Sequence, residues 1–461
     1  MTYSSALNYL FSFLNFERIP FEYQRQFNLR RIDLLLRWFD SPQYLFPSIL
    51  IAGTKGKGST ANFLSHIVTA NGYKTGLYTS PHLTDPRERI RINGKAISKQ
   101  DFARLVSKIH LVVRRKQHEV KSLEPITFFE IFTLLAVLYF ADQKIDLGVF
   151  EVGMGGRLDA TNILHPLISI ITSISYDHEE HLGHLLKAIA GEKAAIIKKG
   201  GYVISADQAA EAGQVIKAEI RKQKAKAYFL GDQFKTLNEC IFEQGGRFDF
   251  QIGNKKRRNF TIPLTGRFQI KNAALALEAA SILENHYDFE FKEKKVRAGL
   301  QKAFWPGRFE RIQRLSRTFV LDGAHNGASM EELGSALKQI YRNRPMVAIF
   351  GTSKEKVLPD QLKALLPICS QLIITKSSNP RAQDQRVILN AVSQLGFRRG
   401  RVARPFAGRG FRAPTTFLTV NIKEAIKMAH CVSSKNAILV ITGSLFLIGD
   451  AREILKCRKF I

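Results

Sequence analysis

The sequence predicts an α/β protein made of two parallel-sheet units, a larger N-terminal one and a smaller, doubly wound C-terminal one. Three observations predict it. Short apolar runs at residues 49–52, 145–150 and 167–172 each end in a turn rich in glycine or polar side chains, and helical patterns follow them. Past residue 314 a second alternation begins, with apolar strands expected at 318–321, 347–350, 372–375 and 438–442 between helical stretches. The length, 461 residues, exceeds one ordinary core. The turn Trp305-Pro306-Gly307-Arg308 marks the boundary, which gives domains at 1–308 and 309–461.

Composition narrows the class. Apolar residues make up 45% and charged residues 24%, as in a soluble globular chain. The longest apolar run, residues 126–140, is short of a membrane span and carries Glu130. The N-terminus shows no basic, apolar and small-residue succession of a signal peptide. Cys240, Cys369, Cys431 and Cys457 stand far apart with no C-x-x-C pair, so neither zinc nor a disulfide framework is indicated and a reducing cytoplasm fits. Lys and Arg exceed Asp and Glu by 29 (69 against 40), spread along the chain apart from an Arg-dense segment at 397–412. The charge reads as a solvated basic surface or a basic proteome together with anionic small-molecule substrates; a nucleic-acid or membrane partner is not expected.

Residues 1–48 read as packing helices without evident chemistry. The apolar run at 49–52 then enters Gly53-Thr54-Lys55-Gly56-Lys57-Gly58-Ser59-Thr60, and a helical pattern opens behind it. Glycines let successive N–H groups point into one concavity, and a helix N-terminus adds the positive end of its dipole. That is a phosphate cradle, with Lys57 as point charge and Ser59 as a hydroxyl for Mg²⁺, although Gly58 separates them where the strict P-loop pattern has them adjacent.

A short strand at 74–78 leads to Ser80-Pro81-His82-Leu83, and the charged segment 85–91 follows. Residues 98–141 are helical, with Ser98 and Asp101 as a capped start and 126–140 largely buried. The strand at 145–150 ends in Glu151 and a glycine-rich turn. In a parallel sheet ligands gather beyond the carboxyl ends of strands, so Glu151 is either an ordinary strand-end acid or a metal ligand near phosphates. The strand at 167–172 runs toward His178, His181 and His184. Their spacing is not the His-Glu-x-x-His of a zinc site, and His178 is the better single metal candidate. In the helix expected at 185–197, Lys193 reads as a surface charge on periodicity. Residues 200–262 are mixed, with a strand at 202–205 and hairpins later; an Ala-rich helix then ends near residue 283. In the second unit, Asp322-Gly323-Ala324-His325-Asn326 and Gly443-Ser444 both occupy strand carboxyl ends.

The ordered set of cradle, Ser-Pro-His-Leu, Glu-Val-Gly, Asp-His, Glu-Lys-Ala, Pro-Gly-Arg and Asp-Gly-Ala-His-Asn resembles the folylpolyglutamate synthase / dihydrofolate synthase branch of the Mur ligase family. The match runs over residues 48–450. The segments 155–162, 442–445 and 88–92 are especially close to the folate branch. The resemblance implies an N-terminal P-loop-type ATPase domain and a C-terminal α/β domain with the active site in the cleft between them. It implies ATP-dependent transfer of L-glutamate to a pterin substrate, dihydropteroate or a reduced folate, through an acyl phosphate, by a monomer. Two Mg²⁺ ions are expected, held by Ser59, Glu151, His178 and Lys193 if that lysine is carbamylated, with room for a monovalent cation. Lys57, Lys193, Asp322 and His325 would carry catalysis. Asn272, Arg308 and Asp322 join residues 53–60 at the nucleotide. Ser80, Pro81, His82, Thr127, Phe128, Phe129, Asp159, Ala160, Thr161, His325 and Ser444 would meet the substrates, with aromatic faces stacking on a flat heterocycle. Two alternatives carry different tests: a cell-wall Mur ligase, which should lack Ser80-Pro81-His82-Leu83, and a P-loop NTPase with a nucleic-acid-binding basic surface, which predicts steep salt dependence.

Overall fold

The structure, a computed structural model, describes residues 1–17, 27–116, 119, 125–176, 183, 185–395 and 414–457. The chain divides into two compact units. The first comprises Met1–Glu239, Arg247–Pro263 and Gln269–Ala303; the second comprises Cys240–Gly246, Leu264–Phe268 and Phe304–Ile461.

The first unit is organised on an eight-stranded sheet of order β4-β3-β2-β5-β1-β6-β7-β8. Its strands are β1 (Ser48–Ala52), β2 (Thr75–Tyr78), β3 (Ile90–Ile92), β4 (Lys95–Ala96), β5 (Leu147–Glu151), β6 (Ile168–Ile171), β7 (Tyr202–Ser205) and β8 (Lys226–Phe229). The run from β2 to β8 is parallel, as expected. Every residue of β1 and β5 is buried, because helices cover both faces of such a sheet and polar alternation disappears. The charged segment after Pro81 holds β3 and β4, an antiparallel extension of β2 that charge density masks in the sequence.

Helices α1 (Tyr3–Phe11), α2 (Leu29–Arg37), α3 (Lys57–Ala70), α4 (Lys99–Arg115), α5 (Phe128–Asp142), α6 (Leu186–Ala194) and α7 (Ala210–Gln223) surround this sheet. Thr127 and Glu130 form a reciprocal capping box that starts α5, and the helix is buried almost all round, which explains its uniform apolarity. The hairpins appear as a three-stranded sheet of β9 (Phe234–Phe242), β10 (Gly245–Ile252) and β11 (Lys255–Ile262). Helices α8 (Arg267–His286) and α9 (Glu293–Lys302) follow. Gly299 lets α9 approach α3 closely, since a Cβ there would lie 2.5 Å from His66 O.

The second unit carries a six-stranded sheet of order β12-β13-β17-β14-β15-β16. Its strands are β12 (Glu310–Arg314), β13 (Arg317–Asp322), β14 (Met346–Phe350), β15 (Gln371–Ile374), β16 (Thr415–Leu418) and β17 (Ile438–Thr442). Only β12 is antiparallel to its neighbour. Helices α10 (Gly327–Ile340), α11 (Leu358–Leu365), α12 (Gln385–Gln394), α13 (Ile422–Val432) and α14 (Leu445–Lys456) complete the doubly wound unit. All four cysteines are free thiols. Among the described residues no helix is long and apolar enough to cross a membrane.

Candidate active site

The parallel register places three strand ends side by side in the first unit. Ile51 pairs with Glu151 and Ala52 with Ile171, so the cradle leaves β1 between the ends of β5 and β6. Gly53 (φ 146°) and Gly56 (φ 87°) occupy left-handed backbone, and any Cβ would strike Thr172 Oγ1 from the first and Asn272 Oδ1 from the second. Glycine is therefore required at both turns. Asn272 packs its carboxamide directly on the cradle, held by Gln269 Oε1 at 3.1 Å.

Gly56 caps α3 with no side chain, which leaves the N-terminal end of the helix, from Lys57 through Gly58 to Ser59, open to an external anion. The amides of Thr54 and Lys55 are committed elsewhere. Both donate to Ser173 O, at 2.9 and 3.2 Å, and Thr54 Oγ1 donates to Ser175 O at 3.0 Å. The expected set of phosphate-facing loop amides is thereby smaller: this first pair anchors the loop to Ser173, just past the end of β6. Ser59 and Thr60 are buried in the first turn of α3.

Lys57 Nζ donates to Gly53 O at 3.1 Å, and Lys193 Nζ donates to the same oxygen at 3.1 Å. Lys193 is buried, which corrects its reading as a surface charge. The cause is Gly156, where a Cβ would lie 2.5 Å from Glu192 O; its absence lets the turn after β5 press against α6 and turn Lys193 inward. The two lysines line one hollow with Gly53, Thr54 and residues 152–155. Glu151 is buried at the end of β5, and its Oε2 accepts the amide of Ser80 at 3.1 Å. His178 lies outside the described residues.

Asp159 is wholly buried. It accepts from Met154 N (3.0 Å), Thr161 N (3.0 Å) and Thr161 Oγ1 (2.5 Å), and burial raises its pKa against these hydrogen bonds. Asp159, Ala160 and Thr161 thus brace the glycine-rich turn from beneath rather than lining an open pocket. Thr127 is likewise buried and used as a helix cap. Phe128 is 1% exposed, stacked on Phe11 at 5.5 Å and packed against Phe132. It is a core residue with no face to offer a heterocycle. Phe129 is half-buried, and its ring lies against Gly153. Of this aromatic pair only Phe129 remains placed to meet a ligand.

Two residues to which sequence reasoning gave no role, Arg89 and Glu17, support the Ser80-Pro81-His82 loop, whose Ser80–Pro81 bond is cis. Arg89, fully buried, donates to both carboxylate oxygens of Glu17 at 2.8 and 2.6 Å and to His82 Nδ1 at 2.9 Å. Within the charged segment, Arg89 differs from its neighbours only by preceding β3, so nothing local in the sequence marks it as buried.

In the second unit, Asp322 ends β13 opposite Thr442 of β17. Its buried carboxylate accepts from Phe309 N (2.8 Å) and Ala324 N (2.9 Å); burial raises its pKa, and the nearby Arg308 charge opposes that rise. His325 Nδ1 bonds Gly323 O at 2.8 Å, which makes it the protonated nitrogen. Gly323 has no room for a Cβ between Arg308 and Leu445. Ser444 caps α14, accepting from Phe446 N at 3.3 Å. Arg308, Asp322, His325 and Ser444 therefore gather at adjacent strand ends, as expected. Glu310, missed in the sequence, holds the Pro306-Gly307-Arg308 turn: it accepts from Gly307 N at 2.9 Å and from Arg452 at 3.0 and 2.9 Å.

This arrangement is matched in known proteins. The Mur ligase middle domain matches residues 51–280, and the Mur ligase glutamate ligase domain matches residues 307–445. The dihydrofolate synthase/folylpolyglutamate synthase of Bacillus subtilis is 33% identical over 434 residues, covering 93% of this chain and 95% of that protein. The protein of the same name from Mycobacterium tuberculosis is 33% identical over 452 residues, covering 93% and 90%. The structure of Mycobacterium tuberculosis folylpolyglutamate synthase complexed with ADP superposes with a TM-score of 0.86 at 31% identity, covering 99% of this chain and 98% of that one. The chain belongs to the folylpolyglutamate synthase / dihydrofolate synthase branch of the Mur ligase family.

Proposed function

We propose that the chain is an ATP-dependent ligase that adds L-glutamate to a pterin substrate, converting dihydropteroate to dihydrofolate, tetrahydrofolate to its polyglutamates, or both. The observation that carries this reading is the open N-terminal end of α3 beside Lys57 and the strand-end carboxylate of Glu151. Residues 1–308 serve as the ATP-binding domain and 309–461 as the glutamate-ligase domain. The protein acts as a cytoplasmic monomer on small molecules.

Phosphoryl transfer asks for positioning and charge neutralisation. The substrate carboxylate attacks the γ-phosphorus, ADP departs, and an acyl phosphate results. The glutamate amine then attacks the acyl carbon and expels phosphate. The α3 amides and Lys57 hold the β- and γ-phosphates, for which Lys57 swings from Gly53 O to the anion. Asn272 backs the cradle against the nucleotide. Arg308 neutralises phosphate charge, Asp322 fixes the Arg308 turn through Phe309 N, and His325 and Ser444 orient the glutamate. Ser80, His82 and Phe129 meet the pterin.

Glu151 and Ser59 offer hard oxygen donors of the kind Mg²⁺ takes, and would hold it together with His178, which lies outside the described residues. When bound, two Mg²⁺ ions supply the charge that lets an anionic carboxylate approach an anionic phosphate. Lys193 is a fit partner for them only as a carbamate, because its ammonium form would repel a cation. Purified protein given Mg-ATP, labelled L-glutamate and either dihydropteroate or tetrahydrofolate should release ADP as label enters the pterin product. Release of ADP with no label in product, or labelling of a UDP-linked peptide instead, would overturn the reading.

A further inference from the structure

Arg89 is the largest fully buried side chain among the described residues, and its guanidinium is divided between two jobs. Both terminal nitrogens clasp Glu17. The N–H at Nε donates to His82 Nδ1 at 2.9 Å. The rings of Phe128 and Phe132 flank the cation at 5.3 Å each and confine it. An arginine can only donate. His82 Nδ1 must then be bare, and a neutral imidazole with a bare Nδ1 carries its proton on Nε2. Among the described residues that Nε2 has no protein partner, and His82 is half-buried at the mouth of the Ser80-Pro81 loop.

We propose that Arg89 is a positioning residue that locks His82 into the Nε2–H tautomer, so that His82 reads a hydrogen-bond acceptor, a carbonyl or ring nitrogen, on the incoming heterocycle. The identity of that heterocycle as a pterin rests on the function proposed above; the tautomer does not. Other charges around His82 act together with Arg89. Glu17 contacts the guanidinium, while Asp85 and Glu88 lie on the turn before β3; all three favour the imidazolium, against Arg89 and burial. Burial, then the Arg89 charge, wins and holds the His82 pKa down to about 4. His82 therefore stays a neutral donor through the physiological range, and recognition through it does not change with pH. The Glu17 clasp fits this role: a buried guanidinium needs an anion, and a carboxylate gripped at both oxygens fixes the plane in which the Nε–H points at histidine.

Two measurements test this separately. Nitrogen-15 histidine NMR of the intact protein, with the His82 signal assigned by its loss in His82→Gln, should show a neutral Nε2–H ring unchanged from pH 5.5 to 8. A ring that titrates near 6.5, or carries its proton on Nδ1, overturns the lock whatever the substrate is. In Arg89→Met the same ring should titrate at a higher pH than in the parent, because the Arg89 charge is gone while burial persists. Should Arg89→Met fail to fold, Glu17→Gln, which removes a carboxylate that favours the imidazolium and leaves the Arg89 charge uncompensated, should keep the ring neutral and Nε2–H over the same pH range; a ring that then titrates near 6.5 would overturn the lock. In kinetics, His82→Phe should raise the KM for the pterin acceptor about tenfold, the worth of one hydrogen bond, with the KM for ATP moving far less, and His82→Gln, which restores an N–H near the Nε2 position, should recover part of the loss. Equal effects of Phe and Gln would overturn the recognition role. A locked tautomer with no pterin turnover at all would instead keep the lock and refute the proposed function.

Discussion

Lys57 and Lys193 share one carbonyl oxygen, Gly53 O, yet local pattern marked only Lys57, and Lys193 was picked out by the family resemblance alone. Lys57 stands inside a glycine pattern whose chemistry is local. Lys193 sits at a polar-looking position of a helix, and its burial depends on a glycine in another segment and a carbonyl far off along the chain. Local periodicity carries no trace of such contacts. The two lysines should fail differently. Lys57→Ala removes the cation facing the phosphates and should cut turnover by about a thousandfold, measured as ADP release. Lys193→Ala should lower kcat by about a hundredfold, with partial recovery when a small carboxylate such as acetate is added. Full activity of Lys193→Ala without additive would show that no carbamate is needed. The aromatic pair at 128–129 gives the opposite lesson. The sequence suggests two stacking faces, but consecutive helical residues point in different directions, and Phe128 turns into the core while Phe129 does not.

At the scale of elements, the parallel strands were readable because burial on both faces leaves uninterrupted apolar runs, as in β1, β5, β14 and β17. The edge strands β3, β4 and β12 were not, because they are short and carry charges. The long helix α8 holds an unusual buried acid. Glu278 is 1% exposed, its Oε2 has no hydrogen-bond partner among the described residues, and burial raises its pKa from 4.5 to about 7. The folded chain thus holds a proton that the unfolded chain releases. Stability from this group is fullest below about pH 4.5 and is lost as pH rises through 7. Glu278→Gln should therefore be more stable than the parent at pH 8.5, by about 2 kcal/mol, and nearly equal to it at pH 5, read from urea unfolding midpoints. An equal gain at both values would place the effect in packing rather than ionisation.

For the molecule as a whole, two glycine-dependent strand-end sites, one in each unit, account for the ordered motifs better than any single motif does. The Arg-dense segment 397–412 and His178 fall outside the described residues, so their expected parts rest on sequence alone. The two-unit organisation could be read from the alternation past residue 314, whereas the short insertions that join the second unit, residues 240–246 and 264–268, could not, because membership there is set by distant contacts. The central claim is that ATP activates a carboxylate at the open end of α3. Supplying the pterin acceptor with oxygen-18 in its carboxylate tests it most directly. One labelled oxygen should appear in each phosphate released with product, carried over when the acyl phosphate is split by the amine; phosphate without label would contradict the account.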